Sequence, residues 1–139
     1  MRSNVSKLIL YCFITVVMIT GKPLTAQTLK NAIQLTESEQ FEQAGLLYRK
    51  LIGENPATGL NYYYAGENIM KSYFADSANV SFKESADSAL LLYRTGNEKD
   101  PRNPLNLVGM GAIKLLEKDK AGSKVLFDQA YEKTQTALS

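Results

Sequence analysis

The pattern that most constrains this chain is a small residue, an aromatic four positions later, and a proline eight beyond that. It stands as Ala44, Tyr48 and Pro56, returns as Ala89, Tyr93 and Pro101, and returns weakened as Ser123 and Phe127. The steps between the small residues, 44 to 89 and 89 to 123, are 45 and 34 residues. Positions four apart lie on one face of a helix. The small member lets a neighbouring helix come close, and the aromatic fills the gap beside it. Proline cannot continue the helix, so it closes each unit. A helix pair built this way leaves an apolar flank that only the next pair can cover. The chain therefore reads as all-α: six helices in about three hairpins, each antiparallel to its neighbour.

A period near 34 with these three markers resembles the tetratricopeptide repeat. The resemblance covers nearly everything after residue 27 and implies a right-handed α-solenoid. The repeats run over about 27–56, 57–101 and 102–136, within a repeat domain of 27–139. In the first, Leu29, Ala32, Ile33 and Leu35 have helical spacing, Thr36 to Gln40 make a turn, and Phe41, Ala44, Tyr48 and Leu51 share a face. In the second, Tyr62, Ala65, Gly66 and Ile69 stand at the family's bulky, leucine, glycine and tyrosine positions. In the third, Leu107, Met110 and Gly111 do so, with Lys114 in place of the tyrosine. Gly109 and Gly111 read as a helix-packing pair, since a phosphate loop needs a third glycine and a preceding strand.

The longer step carries 11 extra residues (45 against 34) between Ile69 and Ala89. Tyr73 continues one helical pattern, Phe82 and Ala86 anticipate the next, and Ser81 with Glu84 fits a capping box. Two lengthened helices forming a projecting hairpin are expected there.

The first 26 residues read as an export signal. Arg2 and Lys7 precede an apolar run from Leu8 to Thr20, Gly21 to Pro23 break it, and Leu24-Thr25-Ala26 offers a cleavage site. The run is shorter than the ~20 residues that span a bilayer. The ending Ala-Gln resembles signal peptides common in the Bacteroidetes. Cys12, the single cysteine, does not sit in a lipoprotein cleavage box. The expected destination is the periplasm or envelope of a Gram-negative bacterium, or the medium. The chain carries 16 basic and 14 acidic residues. Arg2, Lys7 and Lys22 account for the excess, and no basic stripe suggests nucleic acid.

After cleavage the chain would hold neither histidine nor cysteine. Ser–His and Cys–His nucleophilic catalysis and the usual zinc ligands are thereby excluded. Its carboxylate pairs, such as Glu37 with Glu39, read as surface charge. No enzyme activity, cofactor or metal is expected. The resemblance implies a protein-binding scaffold whose first helices line a concave face. By that register Tyr63, Glu67 and Met70 in repeat two, and Val108, Ala112 and Leu115 in repeat three, face a partner. Asn106 is placed at their rim. Tyr62, Tyr63 and Tyr64 cannot all face one way; Tyr62 is placed in the core, and Tyr63 or Tyr64 in the groove. Some tetratricopeptide domains clamp a terminal carboxylate with lysines and asparagines. The corresponding positions here are Leu29, Ile33, Tyr64, Leu105 and Val108, so no such clamp is expected. Two alternatives stand beside the scaffold: a non-catalytic front segment of a larger cell-envelope enzyme or assembly factor, and a self-associating solenoid.

Overall fold

The computed structural model describes residues 24–136. Most of the expected signal, residues 1–23, lies outside the described residues. Six helices follow one another: α1 Leu24–Glu37, α2 Phe41–Glu54, α3 Gly59–Ala75, α4 Phe82–Lys99, α5 Leu105–Leu116 and α6 Lys120–Thr136. There is no strand among the described residues. Each helix packs on the next. In addition α1 touches α3 and α3 touches α5, whereas the backbones of α2 and α4, and of α4 and α6, stay apart. The odd-numbered helices therefore form a continuous inner layer, and the even-numbered ones stand outside it. This is the contact topology of a helical-repeat solenoid.

The hairpin turns follow from local chemistry. In the α1–α2 turn Glu39 adopts a positive φ of 59°, and Gln40 N–H donates to Leu35 O at 2.8 Å. The α5–α6 turn repeats this with Lys118 at φ 65° and Asp119 N–H donating to Lys114 O at 2.9 Å. Such a left-handed residue with a six-to-one hydrogen bond satisfies the last carbonyls of a helix. Asp119 Oδ1 then accepts from Gly122 N–H at 2.9 Å and caps α6. The α3–α4 hairpin is built differently. Both helices are extended, to 17 and 18 residues, and a short turn joins them. Ser81 caps α4 by accepting from Glu84 N–H at 3.4 Å. The extra residues thus lengthen the hairpin, as the spacing indicated.

Ala44, Ala89 and Ser123 are all buried, Ala44 and Ala89 in clusters that join their helices to neighbours. Tyr93 makes the tightest of these crossings. Its ring, 1% exposed, lies between Gly66 of α3 and Gly109 of α5. A Cβ at Gly109 would come 2.6 Å from Tyr93 Cε1, and one at Gly66 would collide with the same edge. Gly111 relates to Phe127 in the same way, with a Cβ 2.7 Å from Cε1. The two glycines of α5 are therefore packing residues for two different aromatics. Phe127 is 37% exposed.

The glycines separate by this criterion. A Cβ at Gly45 would meet only Arg49 Nη1 at 3.6 Å and Asn68 Nδ2 at 3.7 Å, which are ordinary contacts. Gly66→Ala should cost about 1–3 kcal/mol through overpacking. Gly45→Ala should be neutral or gain about 0.5–1 kcal/mol from helix propensity. Urea midpoints at unchanged slope check both.

Candidate functional site

On the inner layer, Tyr62, Tyr63 and Tyr64 fan out around α3. Tyr62 turns inward, and its hydroxyl donates to Pro56 O at 3.0 Å. Tyr64 packs against the cluster formed by Ala32, Ala44, Tyr48, Leu51 and Ala65, so it faces the preceding helix pair. Tyr63 is half-buried. Its ring centroid lies 6.0 Å from that of Tyr93, tilted, and 5.2 Å from that of Tyr64, edge-on. One turn along, half-buried Glu67 accepts the Tyr93 hydroxyl proton at 2.8 Å. Glu67 thus holds the tip of the ring whose edge the two glycines flank.

This cluster has a definite charge character. Burial, reinforced by the Glu67 charge and by Tyr64, pushes the Tyr63 phenol up to about 12. Burial raises Tyr93 further, and again Glu67 adds to it. Burial also raises Tyr48, partly opposed by its hydrogen bond with Thr36. All three rings are therefore neutral and act as apolar bodies with one polar tip.

Beyond Glu67 the structure corrects the expected row. Met70 is buried in the core shared by α3, α4 and α5, and it presents no partner surface. The row continues by a step of four to exposed Lys71 and then to Phe74, whose ring is more than half exposed. A step of three from Glu67 turns a side chain inward here; a step of four keeps it outward. Asn106 is likewise fully buried, not at a rim. Its amide donates to Gly59 O at 3.0 Å and ties the start of α5 to the start of α3. Val108 is half-buried against the core, and Ala112 and Leu115 are exposed one and two turns along α5. Tyr63, Glu67, Val108 and Ala112 thus lie on two helices that touch, with half-buried Tyr64 edge-on to Tyr63, whereas Met70 and Asn106 are buried. Lys71 and Phe74 were missed. Continuing the spacing of Tyr63 and Glu67 by four would have reached Lys71.

At the end of the row a cleft of ≈ 430 Å³ opens between the α1–α2 turn and the end of α3. Glu37 and Glu39 stand on one wall, Lys71 and Phe74 on the other. An exposed ring flanked by charges of both signs suits a short peptide segment better than a small polar substrate. Among the described residues no group of three or more acidic, histidine or cysteine side chains could hold a metal ion. No helix among them is long and apolar enough to cross a membrane.

Helix pairs joined through a continuous inner layer give the chain the fold of an all-α helical-repeat solenoid. Solved structures share the fold. The Yersinia enterocolitica type III secretion chaperone SycD, in complex with a peptide of the translocator YopD, superposes with a TM-score of 0.63. Identity is 16%, over 84% of this chain and 79% of that one. A chain of the CopN–Scc3 complex superposes with a TM-score of 0.61 at 13% identity, over 87% of this chain and 64% of its own length. No protein-family model matches the sequence, and no curated protein matches it.

The raised phenols set an alkaline limit on stability. An unfolded tyrosine loses its proton near pH 10.0, whereas folded Tyr63 keeps it to about 12. Between those values the unfolded chain binds fewer protons than the folded one, so stability falls as pH rises. Below pH 10 the contribution is fully present. Tyrosinate absorbance from Tyr48, Tyr63 and Tyr93 should appear only together with loss of helical circular dichroism. Ionisation of every tyrosine in one step, with helicity intact, would contradict the burial of Tyr48, Tyr63 and Tyr93.

Proposed function

We propose that this chain is an exported, non-enzymatic scaffold that holds a segment of another protein along its inner layer. The supporting observation is the row of half-buried and exposed side chains on adjacent inner helices. Tyr63, Glu67, Lys71 and Phe74 lie on α3, and Val108, Ala112 and Leu115 on α5. Rings and aliphatic groups in this row supply contact area, and Glu67 and Lys71 supply direction. The neighbour SycD, whose structure contains a peptide, supports the reading that such a fold seats peptides. Export follows from the leader pattern in residues 1–26 and the Ala26 cleavage site. The repeat boundaries at about 56 and 101 are part of the same reading. The partner is a protein or peptide, with no nucleic acid and no cofactor.

The test is selection of binding peptides from a displayed random library against the chain lacking residues 1–26. The selected peptides are then titrated by nuclear magnetic resonance. They should shift resonances of Val108, Ala112 and Phe74. Ala112→Arg should weaken them by about tenfold or more, equivalent to about 1.4 kcal/mol, with helicity unchanged because Ala112 is exposed. Selected peptides that all bind Ala112→Arg as well as the parent would remove the inner layer as the site.

A further inference from the structure

The outer layer carries a second regularity that neither the fold nor the inner surface uses. Burial aligns the three outer helices in register: Ala44, Ala89 and Ser123 are buried, and Leu51, Gly96 and Ala130 are buried seven residues later. Two positions after each small residue, on the opposite side of the helix, stand Leu46, Leu91 and Val125. They are 56%, 67% and 55% exposed. One exposed leucine is unremarkable on any protein surface. A large aliphatic exposed at the same position of every outer helix is a pattern.

The flanks repeat as well on two of the helices. Glu42 and Asp87 lie four residues before the leucines, and Arg49 and Arg94 three residues after, all exposed. Helices α2 and α4 thus each present an acid, a leucine and an arginine along one outward face. Asp87 is engaged by Lys83, but both side chains are more than half exposed, so that pair is readily exchanged. Helix α6 departs from the pattern, with Ala121 and Asp128 at the flanking positions.

Because the backbones of α2 and α4 do not approach closely, a gap remains between them over the back of α3. It is a cavity of ≈ 200 Å³ lined by Gly45 and Ile52 of α2, Ala65 and Ile69 of α3, and Leu92 of α4, with Glu42 and Arg49 also in its wall. It has room for one large apolar side chain. Gly45 lies in its wall, although nothing in the packing demands a glycine there and a mid-helix glycine weakens the helix relative to alanine. Its effect is to keep the cavity open.

We infer that α2 and α4 form a second docking surface for one amphipathic helix of another protein. That helix lies across the two, with its apolar seam on Leu46 and Leu91 and one large apolar side chain in the cavity between them. Basic residues along one edge of the seam meet Glu42 and Asp87, and acidic residues along the other meet Arg49 and Arg94. The arrangement leaves the inner layer free, so the surface stands independently of the inner site.

The test uses three synthetic helical peptides and the chain lacking residues 1–26. The first peptide has a leucine seam with lysines along one edge and glutamates along the other. The second has glutamates on both edges, and the third replaces the seam leucines by glutamine. The first should bind saturably and more tightly than either control, with affinity falling as salt rises. Leu91→Asn, at an exposed site, and Gly45→Leu, which fills the cavity, should each weaken it by about tenfold or more. Ala112→Arg should leave it unchanged, which separates this surface from the inner one. Circular dichroism of each variant confirms folding. Equal binding of all three peptides, or indifference to Leu91→Asn, would overturn the proposal. So would a dimer of the parent chain that Leu91→Asn dissolves, since the occupant would then be a second copy, and so would capture by anionic lipid vesicles in place of the peptide.

Discussion

The structure depends on one aromatic ring passing between two glycines. Tyr93 comes from the outer layer and reaches the inner one, where Gly66 and Gly109 give up their side chains to admit it. Three helices are thereby fixed by a single residue. A ring of that size brings much of the local buried area, and close packing makes any added carbon costly. The hydroxyl at its tip needs a partner once buried, and Glu67 provides it at 2.8 Å. The inner surface beside Tyr63 is thus a by-product of the core. Glu67 lies there because Tyr93 ends there.

Buried polar side chains do for register what the aromatics do for volume. Thr36 of α1 is hydrogen-bonded at 3.2 Å to Tyr48 of α2 and donates to Asn68 of α3 at 2.8 Å. Asn68 in turn donates to Phe41 O at 3.0 Å. Asn61 donates to Leu51 O at 3.3 Å, and Asn106, its counterpart one repeat later, lies over Gly96, the counterpart of Leu51. Apolar faces alone tolerate sliding. A buried amide does not, because a slip of one residue would strand it without partners.

The two layers also divide the functional possibilities. Inner helices touch each other and must stay small where they cross, and their large exposed apolar groups are Phe74 of α3 and Leu115 and Leu116 of α5. Outer helices are kept apart, so gaps open between them and their outward residues carry no packing duty. Any regularity there, such as the leucines of α2 and α4, has to be explained by something other than folding. At the far end Phe127 keeps one face bare, and α6 is correspondingly the least buried helix of the outer layer.

Much of this was written in the chain. Ala44 with Tyr48 and Ala89 with Tyr93 announce helices that cross closely, Ser81 with Glu84 announces a helix start, and the doublet Gly109 and Gly111 announces tight packing. These are local signals, readable because a helix turns every 3.6 residues wherever it forms. What the chain could not announce is which neighbour each signal meets. That Gly66 and Gly109 serve the same tyrosine, that Asn106 is buried by Gly59 and Gly96, and that Met70 turns inward while Lys71 turns outward all depend on how far each hairpin rotates against the next. That rotation is settled by side chains distant in sequence coming into contact, so only the tertiary structure could decide it.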